Sequence, residues 1–276
     1  MSQDFSSIRD HYSAKGLLDR IRAALATLGP EHQALTPRQL GAMDQFHTRG
    51  HAATAELAEL AGIEPRHRVL DLGCGIGGPA RMLAESRGCR VTGVDLSEGF
   101  IEAARYLSLR TGQEQRVEFH CASALALSVP DASFDVVLLQ HVAMNIADRE
   151  RLYREVRRVL APGGRFATYD VVRGEGEPHY PAPWAHDPQD SFLLDAGATR
   201  QAIEACGLRA LTWRDDTPAA RDWAAQLKAA AAASSRPSTP GLGVVMGPDF
   251  PVMAGNHARN LLEGRVGVWM GVFEAG

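Results

Sequence analysis

The sequence predicts a doubly wound α/β domain whose sheet is mostly parallel. Between residues 66 and 172, short apolar segments alternate with helical stretches, and the first apolar segment ends in a cluster of glycines. Apolar strands separated by helices are typical of parallel sheets that are covered on both faces. The chain of 276 residues is 45% apolar and 22% charged, so it can bury a large core.

The apolar segments are predicted strands, and the periodic stretches between them are predicted helices. The strands are expected at residues 69–72, 91–95, 117–119, 134–139 and 165–172. The connecting helices are expected at residues 79–87, 97–109 and 148–160. Two further strands are expected near the C-terminus, at residues 210–214 and 265–273. This alternation is that of consecutive βαβ units.

The segments before and after these units are predicted to cover them. We expect a helical cap at residues 1–62, a cofactor-binding core at residues 63–172, and a lid with the completion of the sheet at residues 173–276. Residues 173–189 lack periodicity and contain aromatic residues, which is typical of a lid. The alanine-rich helix at residues 222–233 is expected to be solvated or packed at an edge.

The strongest functional signal is the glycine-dense turn after the first strand. Gly73, Gly75 and Gly78 match the spacing G-x-G-x-x-G, and the helix that follows offers unpaired backbone N–H groups. Asp95 ends the second strand, where a carboxylate can accept hydrogen bonds from the ribose hydroxyls of an adenosine. These features predict an adenosine cofactor, and by themselves they fit NAD as well as S-adenosylmethionine.

The surroundings of this turn resemble the class I S-adenosylmethionine-dependent methyltransferases. The resemblance is carried by Asp71-Leu72-Gly73-Cys74-Gly75-Ile76-Gly77, Val94-Asp95, residues 131–135 and residues 160–164. A carboxylate at Asp71 would repel the pyrophosphate of NAD, whereas it suits a sulfonium with an amino-acid tail. The resemblance covers residues 66–172 and implies a seven-stranded sheet whose last strand is antiparallel, with S-adenosylmethionine as cofactor.

The N-terminal segments His11-Tyr12-Ser13 and Asp44-Gln45-Phe46-His47-x-x-Gly50 resemble those of the small-molecule group. That group includes the sarcosine/dimethylglycine N-methyltransferases and natural-product relatives. The resemblance therefore implies cofactor contacts from residues of the turn, of the second, third and fourth strand ends, and of the cap: Asp71, Gly73, Gly75, Gly77, Asp95, Leu96, Ser123, Ala124, Gln140, Tyr12 and Gly50. Ser123 departs from the family, which usually has an acid there.

Residues at the ends of the fourth and fifth strands are candidates for catalysis. His141 is expected to act as a base or to orient the acceptor, since an ordinary imidazole pKa of ~6.5 suits proton removal near neutral pH. Asp170 is expected to orient His141 or to bind a cationic substrate. The acceptor is expected to contact His141, Asn145, Tyr180 and Trp184. We expect no catalytic metal.

The implied reaction transfers a methyl group to a nitrogen or an oxygen of a small molecule. Some sugar O-methylating relatives carry a further histidine where this chain has Met144 and Asn145, which favours nitrogen. A cofactor-binding sensor or scaffold without catalysis, and an NAD-dependent oxidoreductase, are the alternatives. The formal net charge of −4 disfavours a nucleic-acid substrate.

The location expected from the sequence is the cytoplasm. No secretory signal and no apolar run of ~20 residues are visible, so neither secretion nor membrane insertion is expected. The four cysteines form no CxxC pair, which favours reduced thiols. The sequence leaves open whether the protein is a monomer or a homodimer.

Overall fold

A computed structural model, which describes residues 16–233 and 240–276, contains a seven-stranded sheet in the order β3-β2-β1-β4-β5-β7-β6. The strands are β1 (Arg68–Leu72), β2 (Arg90–Asp95), β3 (Val117–Cys121), β4 (Phe134–Gln140), β5 (Leu160–Arg173), β6 (Leu208–Asp215) and β7 (Val266–Ala275). All neighbouring pairs from β3 to β5 are parallel. Strand β7 runs antiparallel between β5 and β6. The predicted fold class is therefore confirmed, including the antiparallel last strand.

The strand order reverses at β1, which pairs with β2 on one side and with β4 on the other. The helices that follow β1 and β4 must therefore leave toward opposite faces, and a crevice opens at the carboxyl ends of these strands. Val69 and Leu70 are both fully buried, since one faces the helices on each side of the sheet. This crevice is the position at which the sequence predicts the cofactor.

The helices begin and end close to the predicted bounds. They are α1 (Leu17–Leu25), α2 (Pro37–Asp44), α3 (Gly50–Leu60), α4 (Gly78–Arg87), α5 (Glu98–Arg110), α6 (Arg149–Val159), α7 (Ala196–Glu204), α8 (Thr217–Ala233), α9 (Gly243–Met246) and α10 (Phe250–Leu262). Side-chain caps explain several starts: Thr36, Ser97 and Asp148 each accept a hydrogen bond from a backbone N–H in the first turn. Within the described residues, no helix combines the length and apolarity that a membrane span requires.

A buried ion pair holds the N-terminal helices against the sheet domain. Arg81 Nη2 of α4 donates to Asp44 Oδ2 at the end of α2 over 2.8 Å, and both side chains are almost completely buried. The two helices approach so closely that a Cβ on Gly78 would lie 2.1 Å from the carbonyl oxygen of Asp44. The start of α4 and the end of α2 thus form one packed unit.

The segment after β5 covers the carboxyl edge of the sheet. Two residues of α10 hold it in place through hydrogen bonds to the backbone of His179 and Pro181. Asn260 of α10 accepts a hydrogen bond from His179 N and donates one to His179 O, while Asn256 donates to Pro181 O. Trp184 is 2% exposed and belongs to the main core cluster. The aromatic residues of this segment thus pack inward and close the crevice from one side.

The connection between β6 and β7 departs from expectation. The alanine-rich helix is longer than predicted, because α8 begins at Thr217, and one of its faces borders the crevice through Trp223 and Leu227. Helix α10, for which the sequence gives no clear periodicity, packs against α8 and completes the cover. A helix that lines a cavity has a weak apolar stripe. This explains why the sequence predicts a solvated helix at the position of α8.

Loss of the Asp44 charge should destabilise the fold strongly. The variant Asp44→Asn leaves Arg81 charged and buried without a counter-ion, so we expect the free energy of unfolding to fall by about 3–5 kcal/mol. Urea denaturation measures this change. The matched substitution Glu204→Gln, in the exposed Arg200–Glu204 pair, should cost less than about 1 kcal/mol. Equal losses in the two variants would contradict the assigned role of the buried pair.

Candidate active site

A cavity of about 790 Å³ lies at the carboxyl ends of β1, β2 and β4. Its walls come from the sheet edge, the segment between α2 and α3, the segment after β5, and helices α8 to α10. This volume is within the ~300–1,000 Å³ that small-molecule sites occupy. Most predicted site residues line it: Gly50, Gly73, Gly75, Asp95, Leu96, Ser123, Ala124, Gln140, His141, Asn145 and Trp184.

The glycine turn forms one end of the cavity floor. Gly73 and Gly75 have φ values of 78° and 54°, which favour glycine, and both border the cavity. Gly77 does not border it. A Cβ on Gly77 would lie 2.5 Å from the ring of Phe119, so this glycine allows β3 and α4 to pack closely. Gly77 therefore has a packing role in the structure, and its predicted contact with the cofactor stays a prediction.

Asp95 is held by the backbone of the turn and of the following helix. Its Oδ2 accepts a hydrogen bond from Gly75 N and its Oδ1 one from Ser97 N, each over 2.9 Å. Burial raises the pKa of Asp95, while these two N–H groups act in the opposite direction. The side chains of Leu96 and Ala124 border the same end of the cavity, and Ser123 Oγ there accepts a hydrogen bond from Leu125 N.

Asp71 lies behind the turn rather than in the cavity wall. Its carboxyl group accepts a hydrogen bond from Ala80 N, and its Oδ2 is buried without a partner. Burial and, in the same direction, the nearby charge of Asp95 raise the pKa of Asp71 to about 7. A cation bound at the turn would therefore stabilise the ionised form of this carboxyl group.

His141 stands at the end of β4 in a left-handed backbone conformation, with a φ of 53°. This strained conformation is held by a hydrogen bond from His141 N to Tyr169 O and by stacking of the two rings, whose centroids lie 5.3 Å apart. The nitrogen Nε2 is buried without a partner. Burial, followed by the proximity of His47 and His257, lowers the pKa of His141 well below its ordinary value. The expectation of an ordinary imidazole pKa is therefore wrong, and the ring is neutral at neutral pH.

Two further histidines border the cavity and are absent from the predicted site. His47 Nε2 lies 2.9 Å from Thr54 Oγ1, which in turn accepts a hydrogen bond from Gln140 Nε2 over 3.2 Å. His257 Nε2 lies 3.2 Å from Thr48 Oγ1, and its Nδ1 has no partner. Burial lowers the pKa values of His47 and His257 to about 4. His47 belongs to a segment that carries the family resemblance, whereas no sequence pattern distinguishes His257.

Two other predicted site residues, Asp170 and Tyr180, lie outside the cavity wall, and a third falls outside the described residues. Asp170 does not border the cavity, because its carboxyl group accepts hydrogen bonds from Ala143 N and Val171 N. Burial raises the pKa of Asp170 to about 6. These backbone bonds direct it to the turn after β4, so the expected contact with His141 is absent among its described hydrogen bonds. Tyr180 is half-buried against the core and outside the cavity wall, and Tyr12 lies outside the described residues.

Asn145 and Trp184 border the cavity together. Asn145 Nδ2 donates to Trp184 O over 2.6 Å, and Trp184 Nε1 donates to Ser191 Oγ over 2.9 Å. The indole also meets the edge of the His257 ring, with a centroid distance of 5.6 Å. Among residues 16–233 and 240–276, no group of three or more His, Cys, Asp or Glu side chains is arranged to hold a metal ion.

A family model described as a methyltransferase domain matches residues 70–168, which include the glycine turn, Asp95 and His141. The chain therefore contains a methyltransferase domain. The predicted resemblance to class I S-adenosylmethionine-dependent methyltransferases is confirmed. The methyltransferase domain corresponds to β1 through most of β5, so the cap and the cover over the cavity lie outside the match.

The methyltransferase domain is also similar in sequence to curated methyltransferases. One is methyltransferase GfsG of Streptomyces halstedii, 38% identical over 130 residues, which is 47% of this chain and 47% of that protein. Another is 27-O-demethylrifamycin SV methyltransferase of Amycolatopsis mediterranei, 39% identical over 132 residues, which is 47% of this chain and 48% of that protein. The matches thus span about half of the relatives' own length.

The structural similarity to solved methyltransferases covers more of the chain than the sequence similarity does. The structure of Haemonchus contortus phosphoethanolamine N-methyltransferase 2 in complex with S-adenosyl-L-methionine superposes with a TM-score of 0.69 at 17% identity. The superposition covers 99% of this chain and 60% of that chain. At this identity the similarity concerns the fold, which includes the cap and the cover.

The neutral histidines should give stability a defined pH dependence. The unfolded His257 imidazole has its ordinary pKa of 6.5, whereas burial lowers the pKa of the folded one to about 4. The unfolded state therefore binds more protons between these values, and stability falls as the pH falls from 6.5 to 4. The variant His257→Leu lacks this contribution. Relative to wild type, we expect it to gain on the order of 2 kcal/mol between pH 7 and pH 4.5 in urea denaturation.

A carboxyl group with a raised pKa gives stability a pH dependence of the opposite sign, and it serves as the control. The pKa of Asp71 is about 7 in the folded state and has its ordinary value of 3.8 in the unfolded state, so its ionisation destabilises the fold as the pH rises. The variant Asp71→Asn should therefore gain on wild type as the pH is raised from 4 to 7. A stability difference independent of pH in both variants would contradict the assignment of buried, neutral groups.

Proposed function

We propose that this protein transfers the methyl group of S-adenosylmethionine to a nitrogen or an oxygen of a small-molecule acceptor and releases S-adenosylhomocysteine. One observation carries the proposal: the glycine turn and the fixed carboxylate of Asp95 lie at one end of a cavity that continues to His141. The cavity is large enough for a cofactor and part of an acceptor together.

The residues at the turn fit an adenosine. Each oxygen of Asp95 uses one lone pair on a backbone N–H, which leaves further lone pairs for ribose hydroxyls. Leu96, Phe100 and Ala124 supply apolar surface for a planar base. Ser123 replaces the acid of the family; since its oxygen accepts a hydrogen bond from Leu125 N, its hydroxyl proton is free to be donated to a ring nitrogen.

The turn also fits a cationic methionine tail. Asp71 Oδ2 is buried without a partner, and its charged form is disfavoured by burial and by Asp95. A cation at the turn would favour the ionised carboxylate, whereas a pyrophosphate would add two further negative charges. This charge balance supports S-adenosylmethionine over NAD.

The bound cofactor would supply a methyl group that is already activated by a positively charged sulfur. The chain then has to orient the acceptor and exclude water. The cover of Trp184, Trp223 and α10 performs the exclusion. His141 is neutral and offers a ring nitrogen that accepts a hydrogen bond or a proton from the acceptor. Its lowered pKa makes it a weak base, which supports an orienting role.

We also propose a cytoplasmic location, which the cysteines support. All four are thiols that form no disulfide among the described residues, and Cys74 and Cys89 are buried. Free thiols are typical of reducing compartments. A small-molecule acceptor is supported by the closed shape of the cavity and by the net charge of −4, which disfavours a polyanionic nucleic acid.

Calorimetric titration with S-adenosylmethionine, S-adenosylhomocysteine and NADH tests the cofactor. We expect both adenosyl ligands to bind and NADH not to bind. Asp95→Ala should weaken binding of the adenosyl ligands by about tenfold to a hundredfold, because hydrogen bonds to a charged group contribute about 1.5–3 kcal/mol. The control Asp131→Ala, at an exposed position outside the cavity, should leave binding unchanged.

Binding of NADH alone would replace the proposal by an NAD-dependent oxidoreductase. Equal affinity in wild type and Asp95→Ala would remove Asp95 from the ribose site. A protein that binds S-adenosylmethionine but releases no S-adenosylhomocysteine across amines, phenols and alcohols would be a sensor or scaffold rather than a transferase.

A further inference from the structure

We propose that the acceptor is an uncharged, largely apolar molecule whose hydroxyl group is held between His141 and His257. This inference rests on the proposed function and names the acceptor class for the same cavity. It assigns a role to His257, a residue outside the segment that the family model matches. His257 is proposed as an acceptor-binding residue that positions the hydroxyl.

The charges of the cavity wall favour a neutral acceptor. Among the described lining residues, the charged side chains are Asp95, at the turn, and Lys228, on an exposed position of α8. No carboxylate of the described wall lies beside His141, since Asp170 is turned toward backbone groups. An ammonium group at that end would therefore lose its hydration without gaining a counter-ion.

Aromatic rings are the remaining way to hold a cation there. Trp184 and Trp223 border the cavity, and a cation over an aromatic ring gains about 0.5–2 kcal/mol. The effective penalty for burying an unpaired ion is several kcal/mol. The Trp184 indole is also engaged by the edge of the His257 ring. The balance is therefore unfavourable for an ammonium and favourable for an uncharged, apolar group.

The polar atoms that need a partner are two ring nitrogens. His141 Nε2 and His257 Nδ1 are buried without a hydrogen bond, although both rings lie in the cavity wall. A buried polar group without a partner costs about 1–3 kcal/mol, so a ligand that supplies one is favoured. Because the torsion between Cβ and the ring is broad, we expect each ring to turn its free nitrogen toward a bound acceptor.

A hydroxyl group suits this pair because it donates one hydrogen bond and accepts others. Two neutral imidazoles can present one acceptor nitrogen and one N–H to the same oxygen. The contact between His257 Nε2 and Thr48 Oγ1 occupies one ring nitrogen and leaves Nδ1 for the ligand. Burial keeps both rings neutral, which removes the repulsion that two imidazolium groups would exert.

The test uses the full chain saturated with S-adenosylhomocysteine and two matched probes, 4-hexylbenzyl alcohol and 4-hexylbenzylamine. The probes have the same apolar part, and the amine carries a positive charge at neutral pH. We expect calorimetry to show that the alcohol binds at least about tenfold more tightly than the amine, which corresponds to about 1.4 kcal/mol.

Variants of His257 connect this preference to the residue. His257→Leu should weaken binding of the alcohol by about tenfold and leave the affinity for S-adenosylhomocysteine unchanged. His257→Asn should restore most of the affinity, because its amide reaches the position of Nδ1. The matched control His32→Leu, at an exposed position outside the cavity, should bind both probes as wild type does.

The outcomes separate the two proposals. Failure of S-adenosylhomocysteine to bind overturns the proposed function and this inference with it. Normal cofactor binding with an amine that binds as tightly as the alcohol, or with no binding of the alcohol, overturns only the acceptor class. An alcohol affinity that His257→Leu leaves unchanged, or that His257→Asn does not restore, overturns the role of His257.

Discussion

The buried contact between Asp44 and Arg81 is the constraint on which the site depends. It joins the end of α2 to the helix that begins at the glycine turn, and the absence of a side chain on Gly78 lets the two backbones meet. The residues that directly follow Asp44 then form a wall of the cavity: Gln45, Phe46, His47, Thr48 and Gly50. A cap that docked elsewhere would leave the carboxyl ends of β1 and β2 open to water.

A second set of polar contacts links this cap to the far side of the sheet. Arg49 pairs with Asp216 over 2.6 Å, and the same carboxylate accepts a hydrogen bond from Tyr169 Oη over 2.9 Å. Tyr169 in turn stacks on His141. The position of the imidazole at the end of β4 is therefore set by residues from the cap, from β5 and from the start of α8, although none of these lies near it in sequence.

The site combines a charged and an uncharged end. Asp95 lies close enough to Asp71 at the turn to disfavour ionisation of Asp71, which is a suitable environment for a cation. At the other end, three imidazoles share an apolar cavity and stay neutral because burial opposes their protonation. This difference in charge between the two ends favours a positively charged group at the glycine turn and an uncharged molecule at the end that holds the imidazoles.

The sequence by itself determined the sheet, the glycine turn and the position of Asp95. These features arise from local patterns: apolar runs, glycines that adopt positive φ, and a carboxylate at a strand end. Only the tertiary structure decided which polar groups meet the acceptor. Asp170 lies in β5, beside the end of β4 that His141 follows, yet backbone N–H groups turn it away from the cavity. His257 lies on a distant helix, and its packing against Trp184 and Thr48 brings it to the site. The pKa of His141 likewise depends on burial by residues remote in sequence, which no local pattern specifies.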